Sequence, residues 1–255
     1  MYDLEMHEMT PDFFKCWQAA GIHIDKQIQG GMQSWLRSHP YPPFLEHLSF
    51  RLGNQVFFVR VQDAQNRIHG PGSLSGLLMI ADGCQGHACV MPMNKKFLGG
   101  QWTTEKSGWG LVDARTGALV DPVKLVTDKK IEMTEWELQD FAVQVVRTQL
   151  EKDGYQIMSW QGNPGVDPAI WFVGESKGPE WIVVRAARYP NNEATKPANW
   201  LNIAEGCALQ SKVVHFAQVA FASTDQPFQS AGEKPVPLWR GYGVHVRYEG
   251  LENGK

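Results

Sequence analysis

Residues 134–154, TEWELQDFAVQVVRTQLEKDG, and the three short extended runs that follow them decide the fold. Thr134-Glu135-Trp136-Glu137 has the Thr-x-x-Glu form of a capping box, in which each end residue satisfies a backbone amide of the other. Leu138, Phe141, Ala142 and Val145 then fall at i, i+3, i+4 and i+7, which predicts an amphipathic helix, and Gly154 supplies the stop. Three extended segments come next, at 155–161, 169–174 and 181–189. Gly162-Asn163-Pro164-Gly165 separates the first two, and Ser176-Lys177-Gly178-Pro179 the last two. Connections this short imply an antiparallel meander. Residues 197–209 read as a second helix with Thr195 as its cap, and 215–223 (HFAQVAFAS) as a strand that returns parallel after the helix. A Pro-rich stretch over 226–237 leads to a last strand at 243–248.

Upstream the pattern differs. Residues 11–37 mix helical and turn signals, with Gly21 and Gly30-Gly31 expected to cut any long helix. LSFRLGNQVFFVRV, from Leu48, carries Gly53-Asn54 between two alternating runs, a hairpin signal. Further strands are expected at 77–81, 88–91, 108–112 and 118–120. The chain is therefore expected to be α+β: an N-terminal β-rich module over residues 1–130, then an α-β-β-β-α-β module over 131–255.

Composition bounds the function. The 255 residues carry 24 Lys and Arg against 27 Asp and Glu, with 43% hydrophobic residues. Disorder is excluded, and a net charge of −3 supplies no field that draws in polyanions. Residues 1–130 hold 13 basic and 12 acidic groups and residues 131–255 hold 11 and 15, so the C-terminal half is the acidic one. No apolar run is long enough to span a bilayer, the first thirty residues carry acids where a secretory leader is cationic, and four scattered cysteines fit reduced thiols. A cytoplasmic protein without a membrane partner is expected. Ten tryptophans call for an explanation. Trp136 and Trp200 fall on the two helices and Trp160, Trp171 and Trp181 one on each meander strand, which predicts one cross-strand cluster if the registers match.

The order helix, three-strand meander, helix, strand over residues 134–223 resembles the common core of the restriction-endonuclease-like superfamily, the PD-(D/E)XK nucleases. That resemblance implies a helix glutamate, an aspartate at the start of the second meander strand and an acid-x-lysine on the third, gathered around one or two divalent metals. Glu137 or Glu135 matches the helix acid, and Asp167 in Val166-Asp167-Pro168 matches the strand acid. The third strand, Trp181-Ile182-Val183-Val184-Arg185-Ala186-Ala187-Arg188, has no acid-x-lysine, and arginine positions water poorly because it stays protonated. Glu180, just ahead of that strand, is the displaced substitute. The expectation is a non-catalytic binding protein on a degenerate nuclease-like scaffold, with a protein partner, no cofactor and no metal. The alternative is a Mg2+-dependent nuclease using Asp167, Glu137 and Glu180, with Arg185 at the lysine position and nucleic acid as partner.

Other readings of these residues stand beside it. Glu137 is also the cap residue of its helix, and Asp167 is favoured in a turn for bonding nearby amides. Arg185 and Arg188, three apart, are candidates to clamp an anion, and Trp239 beside Arg240 to anchor a partner. Cys84-x2-His87-x-Cys89 collects three zinc-type ligands without a fourth; the alternatives are a hairpin with buried thiols or a reactive cysteine. Ser73 and Ser75 lie in an expected loop and lack the nucleophile-elbow form. Neither a phosphate-binding P-loop nor a dinucleotide fingerprint occurs.

Overall fold

A computed structural model describes residues 10–28, 47–97, 99–228 and 234–254. The chain is mixed α+β and divides into two compact units, Met1–Lys129 and Lys130–Lys255.

In the first unit Thr10 caps helix α1 (Pro11–Gln27), its hydroxyl accepting from the Phe13 amide, with Pro11 at the first helical position. Phe13, Cys16, Trp17, Ala20 and Ile24 are buried at helical spacing. Gly21 does not cut the helix: a mid-helix glycine costs about 1 kcal/mol against alanine, and this five-residue stripe outweighs it. Gly30-Gly31 lie outside the described residues. Strands β1 (Leu48–Leu52) and β2 (Gln55–Asp63) form the expected hairpin around Gly53, whose φ of +57° needs glycine there.

The expected strand at 77–81 is instead part of helix α2 (Leu74–Gly83). Ser73 is its cap, accepting from the Gly76 amide, and Leu77 and Ala81 are buried four residues apart. A short apolar run does not distinguish strand from buried helix, and only the serine cap carried the signal. Helix α2 makes the crossover that sets β3 (His87–Lys95) parallel to β2. Strands β4 (Trp102–Thr104) and β5 (Leu111–Asp113) pair antiparallel with β3, and β6 (Leu119–Val120) with β5, before the short helix α3 (Pro122–Leu125). The sheet order is β1-β2-β3-β5-β6, and α1 buries Phe50, Phe57, Val59, Met91 and Met93 on one face.

The second unit begins with helix α4 (Glu135–Lys152), where the expected capping box is complete: the Thr134 hydroxyl accepts from the Glu137 amide and Glu137 Oε2 from the Thr134 amide. Strands β7 (Gln156–Trp160), β8 (Ile170–Val173) and β9 (Pro179–Arg188) form the antiparallel meander. Helix α5 (Trp200–Cys207) follows, with Asn199 rather than Thr195 at its cap position and no side-chain cap bond. Strand β10 (Val214–Ser223) returns parallel to β9. Strands β11 (Val244–Arg247) and β12 (Glu252–Asn253) pair antiparallel with β10, giving the order β11-β10-β9-β8-β7. Of the Pro-rich stretch, residues 229–233 lie outside the described residues.

Strand alternation assigns the faces. Trp181, Val183 and Phe216 point to the α5 side, where Cys207, Trp171 and Trp200 pack on them. Val184, Ala186 and Phe221 point to the α4 side, where Phe141 stacks on Phe221 at 5.1 Å and Gln139 bonds the β9 backbone. The tryptophan cluster is therefore Trp171–Trp181–Trp200, with ring centroids 6.4 and 6.2 Å apart. Trp160 is not in it. A register shift between Ile157 and Ser159 sets Trp160 opposite Ile170, whose side chain points to α4, and the Arg147 guanidinium lies 4.5 Å from its ring centre.

Candidate functional site

Each of the three candidate carboxylates is held by its own base. Glu137, fully buried on the first turn of α4, is paired with an equally buried Arg240: Nε–Oε1 is 2.6 Å and Nη2–Oε2 is 2.9 Å. Arg240 is thus a core residue, not an exposed contact, because its guanidinium answers the charge that the capping box brings inside. Asp167 does not bond nearby amides as its turn predicts. It takes a two-pronged pair from Arg185, at 2.9 and 2.5 Å, with both side chains largely shielded. Glu180 accepts from Ser176 through both amide and hydroxyl and lies 2.7 Å from His215 Nε2. Burial pushes this carboxyl up, but the hydrogen bonds from His215 and Ser176 outweigh it and hold the group below the ordinary carboxylate range.

The three acids do not form one constellation. Glu180 and Arg185 are five residues apart on a continuously paired strand, so they point to opposite faces of the sheet. Asp167 follows Arg185 to the α5 side, whereas Glu180 and Glu137 belong to the α4 side. Among the described residues no three of His, Cys, Asp and Glu gather in a way that fits a metal ion.

The same alternation separates Arg185 from Arg188, so the two do not clamp one anion. Arg188 turns to the start of α4, where Glu132, Glu135 (3.2 Å) and the Met133 carbonyl (2.7 Å) take its guanidinium. Trp239 is half-buried, with Lys130 Nζ 5.8 Å from its ring centre and 5.2 Å from that of the exposed Tyr242. Of the four binding candidates it alone keeps ring surface for a partner.

Cys84 is the C-terminal cap of α2 and His87 and Cys89 lie at the start of β3, so the segment is a helix-to-strand connection and not a hairpin. Both thiols are fully buried, and burial pushes that of Cys89 up to about 12, away from nucleophilic thiolate chemistry. Ser73 is occupied as a helix cap and Ser75 lies within α2.

Helix α4 also carries a buried polar stripe that its sequence does not announce. Glu137, Asp140, Gln144 and Arg147 recur at i, i+3, i+7 and i+10 and all are buried. Polar residues at such spacing read as a solvent face, so nothing in the pattern marks them. Gly162 packs against Asp140 so closely that a methyl group there would lie 2.1 Å from Oδ1. Burial raises the Asp140 carboxyl to about 7, against the hydrogen bond from Gln144 and the attraction of Arg147. Gln139 uses its side-chain amide as a peptide would, donating to the Val184 carbonyl (2.8 Å) and accepting from the Ala186 amide (3.1 Å), where β9 runs past the start of β8.

Residues 136–253 are similar to a domain of unknown function (DUF8840). The match begins inside α4 and ends in β12, so it takes in every strand of the second sheet and both flanking helices. No curated protein and no solved structure matches the chain.

Proposed function

We propose that the second unit is a restriction-endonuclease-like scaffold that works by binding, with a protein partner, and not by metal-dependent phosphodiester hydrolysis. The element order α4-β7-β8-β9-α5-β10, with β9 and β10 parallel, supports the scaffold. One observation carries the loss of chemistry: Arg185, at the position matched to the family's lysine, closes on Asp167, at the position matched to its strand acid. A divalent cation needs carboxylate oxygens at about 2–2.6 Å from more than one acid. Here a guanidinium satisfies Asp167, and the other two acids lie across the sheet with bases of their own. Four buried cysteines that form no disulfide support a reducing compartment, the cytoplasm. Among the described residues no helix is long and apolar enough to cross a membrane.

The test is calorimetric titration of the full chain with Mg2+ and Mn2+, together with incubation on single- and double-stranded DNA and RNA. Neither saturable metal binding nor cleavage is expected. Cleavage that needs the metal and disappears in Asp167→Ala would establish the nuclease reading instead.

A further inference from the structure

The second sheet ends on one side in β11, and the hydrogen-bond register of that strand fixes which of its backbone groups are left over. Strand β11 pairs antiparallel with β10 at Val244–Ser223, His245–Ala222, Val246–Phe221 and Arg247–Ala220, in one unbroken register. One step beyond, the Thr224 amide donates to the Gly243 carbonyl. Bonded pairs alternate along an antiparallel ladder, so His245 and Arg247 direct their N–H and C=O groups at β10. The other flank of β10 agrees: the Phe221 carbonyl accepts from the Tyr189 amide at 2.8 Å, just past the end of β9, which leaves Ala220 and Ala222 to face β11. The N–H and C=O groups of Val244 and Val246 therefore point out of the sheet, and among the described residues no further strand pairs with them. The far edge differs, because β7 carries a register shift between Ile157 and Ser159, an irregularity that blunts edge pairing.

Strand alternation puts the Val244 and Val246 side chains on one face and those of His245 and Arg247 on the other. Val246 and His245 are both exposed. The Arg247 guanidinium lies over the Phe228 ring, 4.4 Å from its centre, and among the described residues no carboxylate pairs with it. Arg185, Arg188 and Arg240 of the same unit are each matched by an acid. Arg247 is instead a cation steadied by a ring, with its charge unanswered, beside an open strand edge.

We infer that the open edge of β11 takes an extended acidic segment of a partner protein as a further antiparallel strand. Its carboxylates lie opposite His245 and Arg247 and its apolar side chains opposite Val244 and Val246. Main-chain bonds give such an added strand its affinity, and alternate side chains its specificity. A second copy of β11 would set its own Arg247 and His245 against these two, and like charges across a strand pair are destabilising, so the chain is not its own partner here. The inference rests on the binding reading of the second unit and names the chemistry of the partner.

Fluorescence anisotropy of a labelled peptide of alternating glutamate and valine, titrated with the full chain in EDTA, tests this. The chelator keeps the outcome independent of the metal-dependent cleavage that would overturn the binding reading itself. Saturable binding is expected. In the antiparallel pairing the peptide's valine amides face β11 and its glutamate amides face away. N-methylation of the valines should therefore weaken binding about tenfold or more, the scale of two lost hydrogen bonds, while N-methylation of the glutamates changes it little. Lysine in place of glutamate should abolish saturation. Val246→Pro removes one outward N–H, a change that edge strands tolerate, and should weaken binding by a similar factor with far-UV circular dichroism unchanged. Absence of saturable binding at millimolar peptide, equal binding of the valine-methylated or lysine peptide, or full affinity in Val246→Pro would overturn the assignment.

Discussion

At the scale of single residues, the buried charges of α4 set the energetics. Asp140 has a folded-state carboxyl raised from 3.8 to about 7 by burial. Below about pH 4 it is protonated folded or unfolded and costs nothing as a charge. Between 4 and 7 the unfolded chain releases its proton while the folded chain keeps it, so stability falls as pH rises. Asp140→Asn removes this dependence. Urea denaturation at pH 5 and pH 8 should show the variant gaining on the wild type with pH, by a few kcal/mol, since each tenfold change in proton affinity is worth about 1.4 kcal/mol. A difference that does not grow with pH would mean that Asp140 is ionised in the fold. Glu137 and Arg240 make the complementary case. Arg240→Met leaves a fully buried carboxylate without its guanidinium and should cost about 3–5 kcal/mol, whereas Glu137→Leu with Arg240→Met should recover most of the loss. Chemical denaturation of the two variants side by side measures this.

At the scale of elements, Gln139 and Asp140 are among the residues that hold α4 to the sheet and to the loop before β8. Gln139 closes backbone groups of β9 that have no strand beside them. Gln139→Ala should cost about 1–3 kcal/mol and speed amide exchange at Ala186 well beyond that of its neighbours on β9. Equal exchange along the strand would show that water replaces the amide without loss. Gly162 lets the loop approach Asp140, so Gly162→Ala should destabilise by about 1–3 kcal/mol, read as a drop in thermal midpoint. These contacts also show what the sequence could reveal. The α4 capping box, the Gly53 hairpin and the parallel return of β10 were legible because each depends on neighbours in sequence or on connection length, whereas of the expected α4 stripe only Leu138 and Ala142 are buried, Phe141 and Val145 are half-buried, and Val143, Val146 and Leu150 complete the buried apolar face. Helix α2 was not, because ten largely apolar residues fit a strand or a helix until the rest of the sheet chooses.

At the scale of the whole molecule, each unit has its own sheet and its own core. Residues 130–255, expressed alone, should therefore unfold in a single cooperative denaturant transition. A fragment that is molten by near-UV circular dichroism would show that the second core is incomplete without the first unit.

The sequence by itself determined the α+β class, the order of elements in the second unit and the identity of its acids and bases, since these follow from periodicity, capping and loop length. Tertiary structure alone decided which charges meet. Asp167 with Arg185, Glu180 with His215, and Glu137 with Arg240 are separated by 18, 35 and 103 residues. No local pattern encodes such pairings. They follow from strand register, which sets the face each side chain takes, and from desolvation, which leaves no buried charge without a partner.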